Sequence, residues 1–218
     1  MSDLTLFTLP PSPHNIKVRL ALKLKGLSYE TVELAGFDDR DVVVEKSGQP
    51  LTPVLEHGDR VVYDSFGIVR YLDANWPEPR LFGPTREAQQ AIQVWERWVV
   101  NEVAPTLGEF LGLFLEGQDD ADANARIQAR FDEFATKVEE ALADVPFLGG
   151  DALNAADLTV APFLGYAATD PATLPEGSPG HYVASRLSLD ERFPSTRAWI
   201  ESVMAIDRAE VGERAMAG

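Results

Sequence analysis

A hydroxyl, an imidazole and a carboxamide fall within four residues of one another in the run Leu9-Pro-Pro-Ser-Pro-His-Asn-Ile-Lys-Val-Arg19, as Ser12, His14 and Asn15. They stand where an apolar stretch hands over to helical spacing. An anion beside Ser12 would meet unsatisfied N–H groups and the positive end of a helix dipole. A serine hydroxyl can donate to such an anion without itself ionising. The same hydroxyl is also a good helix N-cap, so anion stabilisation and simple capping stand side by side as readings. The rest of the chain narrows the chemistry. It has no cysteine, which removes disulfides, protein thiolate nucleophiles and cysteine metal sites, and His14, His57 and His181 are too scattered to suggest a zinc cluster.

Two further motifs carry local physics. Asn154-Ala-Ala-Asp157 has capping-box spacing, with Leu153 and Leu158 placed for a hydrophobic staple, and reads as a folding device. Thr52-Pro53-Val54-Leu55 sets a proline before an extended apolar pair; taken alone, an X-Pro bond reads as a trans turn. The formal charge of −16 argues against nucleic acid as a partner, because phosphate binding needs clustered cations. The acidity is read as serving solubility or a salty cytoplasm. Neither an eighteen-residue apolar run nor a signal-like N-terminal segment occurs, so no membrane is expected and a cytoplasmic location is.

The elements that must position these groups follow from period and punctuation. Leu4 to Leu9 reads as a buried strand ended by Pro10, Pro11 and Pro13. Ile16, Leu20, Leu24 and Leu27 have helical spacing, with Gly26 available to close the helix. Tyr29 to Leu34 reads as a second strand, and Gly36 to Gly48 as a loop with a short irregular helix. Thr52 to Glu56 and Arg60 to Tyr63 form a hairpin, followed by a helix that Asp64 or Ser65 can cap. The predicted order is β-α-β-α-β-β-α, with helices on both faces of the sheet.

Pro77, Pro79, Gly83 and Pro84 then punctuate a linker, and everything beyond is helical in pattern. A long helix from Glu87 to Phe114 should kink near Pro105. Ile127, Phe131, Phe134, Val138 and Leu142 make one stripe of a helix from Ala125 to Ala143. Others are expected from Asn154 and around Tyr182 to Leu189 and Thr196 to Ile206, with Asp170 to Gly180 as an exposed loop. The predicted domains are 1–76, a linker at 77–86, and an all-helical 87–218.

Together, the Leu9–Arg19 segment, the Thr52-Pro53-Val54-Leu55 turn, Tyr63-Asp64-Ser65 before a helix and the Asn154 box resemble the cytosolic glutathione S-transferase superfamily, in its serine rather than cysteine form. The resemblance spans essentially the whole chain. It implies a thioredoxin-like α/β domain followed by an all-α domain, glutathione as co-substrate with no metal, and a cytoplasmic homodimer working in detoxification. It implies that Pro53 is cis and that the main chain of Val54 holds the glutathione cysteinyl unit. Asp64 and Ser65 correspond to the pair that holds the γ-glutamyl end. Ser12 corresponds to the position beside the sulfur, Asn15 to the place where some classes carry their catalytic serine, and His14 between them to a polar contact.

A base expected two residues before the proline is replaced by Leu51, with Gln49 or Lys46 as substitutes for the glycyl carboxylate. Lys17 and Arg19 lie near the same entrance, and surface charge is the expected fate of at least one of them. Trp98, Asn101, Glu102 and Pro105, on the long helix, are expected to form the site of a small hydrophobic second substrate, although tryptophans there also suit a core. Transfer to an electrophile or reduction of a peroxide by bound glutathione is the reading that follows. A non-catalytic glutathione-binding or scaffold protein, a stress-response protein of the same fold and a glutathione-dependent isomerase are the alternatives. The last is weakened because related maleylacetoacetate isomerases carry Ser-Ser-Cys where this chain has Ser12-Pro13-His14.

Overall fold

In a computed structural model, residues 3–9 and 11–208 are described. They divide into two compact units, one running through Leu81 and taking in the residues from Ala205 on, the other Phe82–Met204.

The first unit runs β1 (Leu4–Thr8), α1 (Pro13–Leu24), β2 (Glu30–Glu33), a 3₁₀ turn (Phe37–Arg40), α2 (Asp41–Ser47), β3 (Val54–His57), β4 (Arg60–Tyr63) and α3 (Ser65–Asn75). This is the β-α-β-α-β-β-α order read from the sequence. The sheet order is β2-β1-β3-β4, with β2 parallel to β1 and both other pairings antiparallel. In the registers Leu6↔Leu55 and Phe7↔Val54, neighbouring residues point to opposite faces, so the strands bury both. Phe7 and Val54 pack with Leu34 and Val43 on one side. Leu6 and Leu55 are fully buried on the other, and α1 and α3 pack against each other. The segment read as a loop with an irregular helix is more regular than that. Val43 alone of its three valines turns inward, while Val42 and Val44 stay exposed, so the anchoring stripe of α2 is one residue wide. The hairpin turn is the two residues Gly58-Asp59, with Gly58 at φ 56°, a conformation that a residue without Cβ adopts readily.

The second unit contains α4 (Arg86–Trp98), a π-helical turn (Val99–Val103), α5 (Ala104–Leu115), α6 (Ala121–Ala141), α7 (Ala155–Leu164), α8 (Pro179–Ala184) and α9 (Pro194–Arg208), whose last turn counts with the first unit. The interruption expected at Pro105 takes the form of the π-helical turn just before it. A proline lacks the N–H and crowds the carbonyl four residues back, and the wider turn accommodates both. All ten residues of α7 are buried. Its start is the capping box expected at Asn154. The Asn154 side chain accepts from Ala156 N at 2.9 Å, and Asp157 accepts from Asn154 N at 2.9 Å. Asp157 further accepts from Leu148 N at 2.8 Å and from the Trp199 indole at 2.9 Å, so one carboxylate ties a turn and α9 to α7. No described helix is long and apolar enough to cross a membrane.

Candidate functional site

The first unit brings together the loop after β1, the loop before β3 and the start of α3. Ser12 is the N-cap residue of α1, yet its hydroxyl makes no capping hydrogen bond; the cap is closed by main chain, with Ser12 O accepting from Asn15 N at 3.0 Å and Ile16 N at 3.1 Å. Pro13 has no N–H, and the Asn15 N–H is turned back on Ser12, so this helix start offers fewer open amides than its position in sequence suggests.

Asn15 is fully buried. Its amide nitrogen donates to Leu9 O at 2.9 Å and to Thr52 Oγ1 at 3.0 Å, joining the loop that carries Ser12 to the loop that carries Pro53. Its Oδ1 is buried without a hydrogen bond among the described residues. The Thr52–Pro53 bond is cis. Val54 follows as the first residue of β3, fully buried and in register with Phe7 and Tyr63.

His14, one residue from Asn15, turns toward α3. Its Nδ1 lies 3.2 Å from Ser65 Oγ, and its ring meets that of Phe66 edge-on at 6.5 Å. Burial, reinforced by the positive charge of Lys17, lowers the His14 pKa from its ordinary 6.5 against a smaller opposing pull from Asp64, so the imidazole is neutral at pH 7. Asp64 caps α3 through weak contacts of 3.4 Å from Phe66 N and Gly67 N, at φ 66°, the one described non-glycine residue with positive φ. Ser65, beside it, is buried.

Four residues behave differently from their sequence reading. Gln49 is folded onto its own loop, its Nε2 donating to Ser47 Oγ and Leu51 O at 2.9 Å and its Oε1 accepting from Leu51 N at 2.7 Å. Lys46 pairs with Glu56 at 2.8 Å, and that hydrogen bond raises its pKa. Neither Lys17 nor Arg19 is ordinary surface charge. Arg19 makes a two-pronged contact with Asp207 at 2.9 and 2.6 Å, and Lys17 is fully buried with its ammonium 3.0 Å from the Phe66 ring centroid. The sequence reading placed Lys17 near the entrance but missed its pairing with Phe66, although the spacing of Lys17 three residues after His14 puts the two on one helix face.

In the second unit, Asn101, Glu102 and Pro105 line a pocket of about 300 Å³ with Glu109, Arg126 and Arg130 among its other walls. Its lining is mixed: Pro105 and Ile127 stand beside two ion pairs, Arg126 3.4 Å from Glu109 and Arg130 3.8 Å from Glu102. Trp98 does not line it. That ring is 6% exposed and sits in an aromatic cluster with Trp95 and Phe134, under the Lys137 ammonium at 4.4 Å. No group of three or more histidine, aspartate or glutamate side chains that could hold a metal ion occurs among the described residues.

Residues 6–80 match the N-terminal domain of glutathione S-transferases and residues 121–202 match their C-terminal domain. Glutathione S-transferase Z2 of Arabidopsis thaliana is 34% identical over 153 residues, 67% of this chain and 68% of that protein. The chain belongs to the glutathione S-transferase family. A probable family member from Oryza sativa subsp. japonica, GSTU6, is 28% identical over 215 residues, covering 95% of this chain and 87% of its own length. The theta-class glutathione S-transferase of Xanthomonas axonopodis pv. citri, solved with glutathione bound, superimposes with a TM-score of 0.75 at 20% identity, over 97% of this chain and all of that one. The family's cysteine-based variants have no counterpart here, because the chain has no cysteine.

Proposed function

We propose that this chain is a glutathione transferase that binds glutathione across residues 12–15, 52–54 and 64–65 and holds its sulfur as a thiolate through the Ser12 hydroxyl. The observation that carries this reading is the Ser12 hydroxyl itself, set at the N-terminus of α1 and unused for capping. With Pro13 and the Asn15 amide unavailable as donors, that hydroxyl carries most of the preference for the anion. Lowering a thiol pKa by two units takes about 2.7 kcal/mol. A hydrogen bond to a charged acceptor is worth about 1.5–3 kcal/mol, which is the right size.

Ser65, at the start of α3, suits the γ-glutamyl carboxylate. Because the His14 imidazole is neutral, one of its nitrogens donates and the other accepts. The tautomer with Nδ1–H donating to Ser65 Oγ leaves the serine hydroxyl proton for the ligand. Asn15 acts as a clamp between two ligand-bearing loops rather than as the thiol activator, since its amide donates to both of them. Val54 offers main chain to the cysteinyl unit. Gln49 is tied to its own loop and Lys46 to Glu56, so the glycyl carboxylate is expected to be held loosely.

In the reaction the thiol proton leaves to solvent and the sulfur attacks an electrophilic carbon, whose leaving group departs with its electron pair; in peroxide reduction the sulfur attacks one peroxide oxygen, the O–O bond breaks with the alkoxide leaving and taking up a proton, and a second glutathione thiol displaces water from the resulting sulfenic acid to give glutathione disulfide. Asn101, Glu102 and Pro105 are the second-substrate residues in this reading. The glutamates and arginines around them favour a substrate with polar groups over a wholly apolar one. Exposed Leu51, Val61 and Tyr63 support self-association as a homodimer, which light scattering on the purified protein tests.

Glutathione calorimetry combined with ultraviolet detection of thiolate between pH 6 and 9 tests the core of the proposal. The native protein should bind glutathione and show a depressed thiol pKa, and Ser12→Ala should bind it with that pKa raised by about one to two units. Binding with no depressed pKa in the native protein would sink the catalytic reading.

A further inference from the structure

Asn15 is fully buried, and its side-chain contacts run in one direction. The atom that meets Leu9 O at 2.9 Å must be the amide nitrogen, because a carbonyl only accepts. The same nitrogen reaches Thr52 Oγ1 at 3.0 Å. An amide nitrogen brings protons and no accepting lone pair, so the threonine oxygen accepts there and its own proton must point elsewhere. The far end of the carboxamide does not take that proton, since Asn15 Oδ1 is buried without a hydrogen bond among the described residues. Thr52 is half-buried, immediately before the cis bond to Pro53. Ser12, on the loop that Asn15 ties to it, is also half-buried, with its hydroxyl unused for capping. Two hydroxyls therefore stand on two loops clasped by one carboxamide. A hydroxyl that accepts a hydrogen bond also donates more strongly, because the accepted bond polarises its O–H.

We infer that the Thr52 hydroxyl is a second donor to the sulfur of bound glutathione, aimed by Asn15 and working beside the hydroxyl of Ser12. The inference rests on the glutathione reading above and adds a side chain to it. Asn15 is then a positioning residue that acts through Thr52: the threonine oxygen meets the ligand, and the carboxamide sets which way its proton faces. A thiolate is a charged acceptor and a thioether a weak one, so a donor placed here favours the reactive sulfur over the S-alkylated product.

The test reads the thiol pKa of bound glutathione by ultraviolet absorbance, together with calorimetric Kd values for glutathione and for S-methylglutathione, which has no ionisable thiol. Thr52→Val keeps the β-branched shape and removes the hydroxyl, Thr52→Ser keeps a hydroxyl, and thermal melts establish that each variant is folded. Thr52→Val should raise the bound thiol pKa by about half a unit to one unit and leave S-methylglutathione within twofold, and Thr52→Ser should return the pKa close to the native value. A thiol pKa unchanged in Thr52→Val would show that the hydroxyl only braces the loops, and the inference would fall while the glutathione site stands. A raised pKa with equal losses of affinity for both ligands would trace the effect to a displaced loop and overturn it too. A further measurement leaves Thr52 untouched: in Ser12→Ala the bound thiol should still titrate below free glutathione, and a value equal to that of the free tripeptide would leave no second donor. Absence of any depressed pKa in the native protein would remove the thiolate reading itself, and this inference with it.

Discussion

Ser12 and Asn15 are three residues apart on one helix start, and the sequence alone leaves them as rivals for the same task. Burial and hydrogen bonding separate them. The amide of Asn15 is fully buried and donates to Leu9 O and Thr52 Oγ1, whereas the hydroxyl of Ser12 makes no capping bond. Their substitutions should therefore differ in kind. Asn15→Ala takes one donor from each of two part-buried acceptors, at about 1–3 kcal/mol of stability, and lets the two loops drift. Steady-state kinetics should show KM for glutathione rising several-fold with a smaller fall in kcat, and the thiol pKa at saturating ligand should stay depressed. A raised thiol pKa in that variant, equal to that of Ser12→Ala, would reverse the assignment. Lys17 illustrates why side-chain roles are less legible than elements. Helical spacing placed it on the His14 face, but nothing in a one-dimensional pattern told that the opposite wall would be Phe66 rather than water.

At the scale of elements, the start of α3 carries an uncommon backbone. Asp64 holds φ 66° and ψ 119° while its side chain accepts from the first amides of the helix at 3.4 Å. Conformations of this kind cost about 1–3 kcal/mol in a residue with a Cβ, and they gather at functional sites. Asp64→Gly removes that strain, loses a weak cap worth a few tenths of a kcal/mol and adds about 0.5–1 kcal/mol of chain entropy. The net expectation is unchanged stability or a gain of up to ~1 kcal/mol by urea denaturation, together with weaker glutathione binding. A variant that lost stability and kept its affinity would show the strained residue to be a structural cap only.

The Asn154 box is the opposite case. Its spacing was readable, and every contact it makes is internal: its Nδ2 donates to Leu148 O at 2.7 Å and Ala152 O at 2.9 Å. Asn154→Ala should cost about 2–3 kcal/mol, combining a lost cap with buried carbonyls left short of a donor, and should leave the Kd for glutathione unchanged. Most helices were legible because their apolar periods are long and punctuated by proline and glycine, and the strands, four or five residues each, because β-branched and apolar runs stand between such breakers. Helix α2 was not, since one inward valine between two exposed ones gives no period to read.

For the molecule as a whole, two carboxylates set opposite limits on stability as pH changes. Burial raises the Asp157 pKa from 3.8 to about 6, although hydrogen bonds from Leu148, Asn154 and Trp199 pull the other way. A raised folded-state pKa means that the folded protein holds its proton more tightly. The associated stability is complete below the unfolded value near 4 and is lost as pH rises through about 6, a swing of about 3 kcal/mol. Glu139 works in the reverse sense. Burial opposes its ionisation, but Thr196 and Ser195 donate to it at the start of α9 and hold its pKa below 4.5, so its contribution is present above that value and is lost as pH falls further.

The two together place maximum stability at roughly pH 4 to 4.5, since the Asp157 contribution falls as pH rises from there towards 6 and that of Glu139 falls at lower pH. Net charge pushes the same way, because a formal −16 at pH 7 repels itself less as carboxylates take up protons. Salt separates the contributions: it screens repulsion between exposed charges and leaves a buried carboxyl largely untouched. Urea midpoints taken at high ionic strength should rise for the native protein between pH 7.5 and 5, and Asp157→Asn should flatten that rise even though it lowers stability at every pH by weakening the contacts to Leu148 and Asn154. A native profile that is flat at high salt, or an Asp157→Asn profile that keeps the full slope, would show that the buried carboxyl is ionised throughout and that surface repulsion alone drives the acid preference.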